Sequence, residues 1–215
     1  MSHRLVVLIS GSGSNLKAIL DATSAPHFGA EVVAVISNRP HAPGLQFARE
    51  RGIPAQALDH TNFPTREAFD TALLECVDRF QPDTVVLAGF MRILTVTFVA
   101  HFKGKLLNIH PSLLPKFPGL HTHQRALDAG ETEHGCSIHF VTEELDGGPL
   151  IARAVVPVLP DDNPPQLAGR VQAAEHQLYP TVLQWRAQEK LTLTSEGVLL
   201  NERLLAESDV PTFRY

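Results

Sequence analysis

The sequence predicts an α/β fold: a mostly parallel, twisted, Rossmann-like sheet with helices on both faces and an antiparallel strand in its C-terminal half. Three observations carry this. Short β-branched runs alternate with segments of helical periodicity from the first residues onward, the pattern that builds a covered parallel sheet. The run Asp83 to Ala88 ("DTVVLA") is apolar almost throughout, as a strand buried on both faces must be. The first apolar run passes through a glycine-rich turn, Gly11-Ser12-Gly13-Ser14-Asn15, straight into a helical pattern.

Leu5 to Ile9 reads as the first strand, and Ser14 or Asn15 can cap a helix that runs to about Thr23. Val32 to Ile36 is a second buried strand, followed by a helix from about Pro43 to Arg51. A helix around Arg66 to Phe80 carries Phe69, Leu73, Cys76 and Val77 at helical spacing. Asp83 to Ala88 is a central strand, and Leu106 to Ile109 is another short one. A proline-broken loop follows, then a helix starting near His121 or Thr122. Gly135 to Val141 and Leu150 to Val158 form a strand pair, read as antiparallel because the link between them is too short for a helical crossover. Pro164 to Gln188 is a long helix with Leu167, Val171, Ala174, Leu178, Val182 and Trp185 on one face, and Pro180 is expected to kink it. Leu191 to Leu205 suits a short hairpin or extra strand. No repeat or linker breaks the chain, so residues 1–188 are expected to form one domain with 189–215 packed on it as an extension; a boundary near Ala100 is the alternative.

Composition narrows the class of function. A hydrophobic content of 44% and a net charge of −5 suit an ordinary soluble enzyme and argue against a nucleic-acid backbone as main partner. With no signal-peptide pattern and no apolar run of spanning length, a cytoplasmic protein with no membrane partner is expected. Cys76 and Cys136 lie far apart within apolar patterns and read as buried reduced thiols.

Ligands of open α/β sheets sit at the carboxyl ends of the strands, so the residues there are the candidates. The glycine turn can present free N–H groups to an anion. It does not complete the dinucleotide fingerprint: Leu16 stands where the third glycine belongs, and the second strand ends in Ser37-Asn38-Arg39 with no carboxylate for a ribose. Arg39 leaves NADP open. Asn108 and His110 alternate on a strand, so both side chains point to one side and can donate to one oxygen as it turns negative. Asp146, in a loop with paired glycines, can fix the imidazole's tautomer and favour its charged form. The plainer reading of Asn108 and His110 is a turn-capping pair before Pro111. His110, His121, His123, His134, His139 and Asp146 crowd one segment without standard ligand spacing, so no metal is expected. Ser112 lies too close to His110 for a triad.

The segments "LLNIHPSLLPKFPGLHTHQRAL" and "GCSIHFVTEELDGGPLI", with "VVLISGSGSNLKAIL", "VVLAGFMRIL" and "RVQAAEHQLYP", closely resemble the folate-dependent phosphoribosylglycinamide formyltransferases, over almost the whole chain to about Trp185. Asn-x-His-Pro-Ser-Leu-Leu-Pro is shared by the wider formyltransferase superfamily; the Lys116 to His123 continuation and the glycine turn select the purine branch. The resemblance implies transfer of a formyl group from 10-formyltetrahydrofolate, the co-substrate, to the amine of 5′-phosphoribosylglycinamide, with no metal. A formyltetrahydrofolate hydrolase or another formyltransferase is the alternative. It implies that Asn108, His110 and Asp146 are catalytic, and that Gly13, Ser14 and Asn15 hold the phosphate with Glu175 on the ribose. It also implies a folate pocket of Arg66, Met91, Arg92, Ile93, Leu94, Asn108 and Thr142, Glu143, Glu144, Leu145 and Asp146. On that reading residues 1–100 are a phosphate-binding half and 101–188 a folate and catalytic half, in a monomer or homodimer. Composition alone makes Glu175 a solvated helix residue and Arg66 a surface cation. Leu114-Pro115 is a candidate cis bond.

Overall fold

The computed structural model describes residues 2–215. In chain order its elements are β1 (His3–Ile9), α1 (Ser14–Thr23), β2 (Ala30–Ser37), α2 (Leu45–Arg49), β3 (Ala55–Ala57), α3 (Arg66–Asp78), β4 (Thr84–Leu87), α4 (Val96–His101), β5 (Leu106–His110), α5 (Thr122–Asp128), β6 (Glu133–Phe140), β7 (Leu150–Pro157) and α6 (Pro164–Ala187). β8 (Leu191–Leu193), β9 (Val198–Leu200), β10 (Arg203–Leu204) and β11 (Thr212–Arg214) close the chain.

The main sheet has eight strands in the order β11-β7-β6-β5-β4-β1-β2-β3. Every pairing in it is parallel except those of β6 with β5 and β7, so β6 is the antiparallel strand. Strand periodicity explains how the sheet is covered. Leu5, Val7 and Ile9 of β1 pack with α1, α2 and α6 on one face, while Val6 and Leu8 pack with α3 and α4 on the other. All five are fully buried, which is why the strand reads as an unbroken apolar run. α6 starts with a capping box, in which the Asn163 side chain accepts from the Gln166 N–H and the Gln166 side chain accepts from the Asn163 N–H. Deeper in the helix, Tyr179 Oη donates to the carbonyls of Leu87 and Leu107 at 3.0 and 3.2 Å, tying α6 to two adjacent strands.

From β1 the chain builds outward through β2 and β3, then crosses back to lay β4 and β5 on the other side. The connections that leave β1 and β4 therefore run to opposite faces of the sheet, forming the crevice in which doubly wound sheets bind ligands. The Ser10 N–H donates to the Gly89 carbonyl at 3.2 Å across the mouth of that crevice.

Several local expectations change. α1 is capped by Gly13 in the left-handed region, not by the side chain of Ser14 or Asn15. α2 is only one short turn beginning at Leu45. Pro180 does not interrupt α6, which is helical from Pro164 to Ala187. β8, β9 and β10 form a separate three-stranded antiparallel sheet, where a short hairpin or extra strand was expected. β3, α4 and β11 had no counterpart in the sequence reading; β11 joins the main sheet parallel to β7, with Phe213 6.3 Å from the Trp185 ring of α6. Leu114-Pro115 is cis.

Candidate active site

The glycine turn is shaped by a backbone contact. Gly13 has φ +74°, and a Cβ there would lie 2.7 Å from Gly44 Cα. The Gly44 N–H donates to the Gly11 carbonyl at 3.1 Å, so two loops touch through their backbones where no side chain fits. The turn opens directly onto the N-terminus of α1, whose first N–H groups lack intrahelical partners. Leu16, in place of a third glycine, is fully buried and anchors the helix to the core.

Asn15 serves a different purpose from capping. Its Nδ2 donates to Glu175 Oε2 at 2.8 Å, and its Oδ1 is buried with no partner. Glu175 is 8% exposed, which corrects its reading as a solvated residue. Burial pushes its carboxyl up to about 7, against the pull of the Asn15 hydrogen bond. Ser14 Oγ accepts from Gln172 Nε2 at 3.0 Å. A carboxylate, an orphaned amide oxygen and a ring of N–H donors thus adjoin one another, a set that matches hydroxyls beside an anion.

The second half of the site stands on β5 and β6. Asn108 is directly opposite His139, and His110 is opposite Ser137. His110 Nδ1 lies 3.4 Å from Asp146 Oδ2, with both side chains more than nine-tenths buried. His110 Nε2 donates to the Phe117 carbonyl at 2.9 Å. Each ring nitrogen thus faces an oxygen, an arrangement that accommodates a doubly protonated ring. Asp146 adopts φ +52° and its Oδ2 accepts the Gly119 N–H at 2.9 Å, so the loop carrying Gly119 and the loop carrying Asp146 lock each other. Asn108 Nδ2 lies 3.2 Å from His139 Nε2.

These parts line one cleft of about 780 Å³. Gly13, Ser14, Asn15 and Glu175 form one end, and Asn108, His110 and Asp146 also line it. Met91, Ile93 and Leu145 give the wall exposed apolar side chains. Ser10 Oγ braces that wall by accepting the Met91 N–H at 2.8 Å. Arg92 lines the cleft too, with its guanidinium 4.8 Å over the Phe69 ring. Arg66, Leu94, Thr142, Glu143 and Glu144 do not line it. Arg66 starts α3 with an exposed side chain 3.9 Å from Glu67, and Leu94 packs against the core under α3 and α4. His121, which precedes α5, and Arg39, the residue that leaves NADP open in the sequence, line the cleft as well. His123 and His134 pair with each other at 3.2 Å, and burial holds both below the usual imidazole range, His134 at about 4. Among the described residues no group of three or more His, Cys, Asp or Glu is placed to hold a metal ion.

His139 was named in the sequence only as one of a cluster of histidines. Its signal is the alternation Ser137-Ile138-His139-Phe140, which puts two polar side chains on one face and two apolar ones on the other.

One end of this cleft suits an anion and the other aims an amide and an imidazole at one region, which defines an α/β enzyme that acts on a phosphorylated small molecule. Within that class the chain belongs to the formyl transferase family, whose pattern its residues 3–183 match. It is 51% identical to the phosphoribosylglycinamide formyltransferase of Escherichia coli (strain K12), over 94% of this chain and 95% of that one. It is 44% identical to the human trifunctional purine biosynthetic protein adenosine-3 over 90% of this chain, which spans 19% of that longer protein. Its structure superposes with a TM-score of 0.94 on the phosphoribosylglycinamide formyltransferase of Coxiella burnetii, at 47% identity, covering 99% of this chain and all of that one.

Proposed function

We infer that this protein is a phosphoribosylglycinamide formyltransferase of purine biosynthesis, moving the formyl group of 10-formyltetrahydrofolate onto the amine of 5′-phosphoribosylglycinamide. The observation that carries this is a single cleft joining an anion-binding turn to Asn108, His110 and Asp146, in a chain that matches the bacterial enzyme almost end to end. A C–N bond forms between substrate amine and formyl carbon, and the bond from that carbon to the folate nitrogen breaks. The amine loses a proton and the folate nitrogen gains one.

The chain's own groups meet each demand of that exchange. Gly13 and the first N–H groups of α1 hold the phosphate, with Ser14 beside them, while Glu175 and Asn15 Oδ1 accept ribose hydroxyls, so the amine arrives oriented. Asn108 and His110 donate to the formyl oxygen as it becomes negative, the contribution with the largest leverage on such a barrier. In the structure the Nε2–H of His110 rests on the Phe117 carbonyl, and the reacting oxygen competes for it. Asp146 Oδ2 faces Nδ1 at 3.4 Å and keeps the ring oriented, itself held by the Gly119 N–H. The wall of Met91, Ile93 and Leu145 suits the flat folate ring. Contact of Arg66, Leu94, Thr142, Glu143 and Glu144 with folate rests on the resemblance alone. On this reading the enzyme works in the cytoplasm on two small molecules, as a monomer or homodimer, through a domain of residues 1–188 supported by 189–215.

The test is deformylation of 10-formyl-5,8-dideazafolate with and without glycinamide ribonucleotide. Turnover that requires the ribonucleotide supports the transferase. Equal turnover without it would identify a hydrolase, and no turnover in either case would overturn both.

A further inference from the structure

The amide of Asn108 is useful to a developing oxyanion only if its NH₂ end, and not its oxygen, faces the reacting atom. A free asparagine amide turns between these two states, so something must choose. The structure shows what does. His139 Nδ1 lies 2.9 Å from the Phe140 carbonyl, which can only accept, so Nδ1 carries a proton. In the neutral ring Nε2 is then a bare lone pair, and it faces Asn108 Nδ2 at 3.2 Å. Only the NH₂ end of the amide can satisfy that lone pair.

We propose that His139 is a positioning residue for formyl transfer, its Nε2 lone pair holding the NH₂ end of Asn108 toward the reacting oxygen. The proposal rests on the transferase reading of the cleft. His139 is buried on β6 directly opposite Asn108, so the contact is fixed by strand register and not by a loop. Its ring cannot turn over freely. A Cβ on Gly148 would lie 1.8 Å from the Phe140 carbonyl and 3.3 Å from His139 Nδ1, so the glycine backbone closes over both. The charged groups facing the ring are Asp146, whose Oδ1 lies 3.9 Å from Nε2, and His110. Burial dominates and holds His139 below the usual imidazole range, in the neutral form that the contact needs; the Phe140 carbonyl and Asp146 favour a charged ring but are outweighed, and His110 adds to the disfavour. A proton on Nε2 would set N–H against N–H and turn the amide oxygen toward the reacting atom, reversing its effect.

The decisive experiment is a double-mutant cycle on kcat with Asn108→Ala and His139→Met, measured in formyl transfer at saturating substrates. Expected is a fall of about tenfold or more in kcat for H139M, within the range of losing one oxyanion donor, with KM for both substrates changed by less than about threefold. In the N108A background H139M should cost almost nothing more, because its only route to the reaction is gone. His139→Gln, which restores an acceptor, should recover most of the loss. Full additivity of H139M with N108A, or a loss in H139Q as large as in H139M, would overturn the proposal. Should H139M fail to fold, ¹⁵N NMR of the wild-type imidazoles decides: Nε2 of His139 unprotonated at neutral pH is required, and a protonated Nε2 overturns it. A wild-type enzyme with no formyl transfer at all would instead sink the functional reading, so the two failures are distinguishable.

Discussion

Replacing Glu175 with glutamine should make the protein more stable, and only above a definite pH. Glu175 sits on α6 with 8% of its surface exposed, and burial raises its carboxyl from 4.5 to about 7. The folded chain therefore holds this proton more tightly than the unfolded chain does. Below the unfolded value both states are protonated and nothing is lost. As the pH rises from 4.5 toward about 7 the unfolded state ionises first, and stability falls; above the folded value the loss is constant. At about 1.4 kcal/mol per pH unit the gap of roughly 2.5 units is worth about 3.5 kcal/mol. Glutamine keeps the shape of the side chain and an oxygen that can accept from Asn15 Nδ2, while removing the charge. Urea unfolding of wild type and E175Q without ligand, from about pH 5 to about pH 9, should give curves that nearly meet at the acid end and separate by up to about 3.5 kcal/mol at the alkaline end. At about 2 to 4 °C per kcal/mol for a chain of this size, Tm should rise by about 7 to 14 °C. The variant should also bind the ribonucleotide more weakly, because the charge that burdens the fold is the one that accepts ribose hydroxyls. Stability curves running parallel across the whole range would refute the reasoning, since they would mean the carboxylate ionises as readily inside as outside.

Asn108→Ala and His110→Ala should each lower kcat by about 10²-fold or more, the scale of losing an oxyanion donor or general acid; steady-state kinetics with normal turnover in both folded variants would sink the assignment. Gly13→Val places a β-branched residue at φ +74° with its Cβ on Gly44, so KM for the ribonucleotide should rise at least about tenfold and KM for the folate much less; equal rises would mean that the turn is not the phosphate site. His134, held at about 4 by burial and by His123, contributes stability that is present above the ordinary imidazole value of 6.5 and lost as the pH falls through about 4. His134→Gln should flatten that acid loss, read by urea unfolding between about pH 7 and about pH 4.5; an unchanged acid slope would show that its protonation is not linked to folding.

The long-range architecture was legible where one element carries its own reason to form. β1 and β4 are apolar runs buried on both faces, and α6 spells out a capping box and a continuous apolar stripe. The elements missed are those stabilised by neighbours. β3 is Ala-Gln-Ala, with no strand-favouring side chain, and exists because β2 offers it an edge. α4 contains Val96, Thr97 and Val99, poor helix formers that a Thr95 cap and the burial of Phe98 and Val99 override. β11 is three residues whose only partner is β7. Glu175 was illegible for a related reason: its position on the helix reads as polar surface, and the packing of α6 against its neighbours, with Asn15 of α1 donating to it, buries it.

The site divides along the same line, but what stayed hidden there is more consequential. Asn108 and His110 announce themselves by their two-residue spacing, because a strand puts both on one side. Which of their atoms donate is settled by backbone groups that no residue type encodes. The Phe140 carbonyl accepts from one nitrogen of His139 and so fixes the proton there, and the other nitrogen then selects the end of the Asn108 amide. The Phe117 carbonyl takes the Nε2–H of His110, and the Gly119 N–H pins the carboxylate facing Nδ1. Two of these three backbone groups lie in the loop between β5 and α5, and the third ends β6. The polarity of the trio is therefore a property of how β6 and that loop are registered against β5, fixed before any substrate arrives. Such preorganisation is what makes hydrogen-bond donors effective toward a charge that exists only in passing. It follows that a change which shifts the register of β6 by even one residue, leaving Asn108, His110 and Asp146 intact, would place Ile138 or Phe140 opposite Asn108 and lower turnover as surely as removing the asparagine.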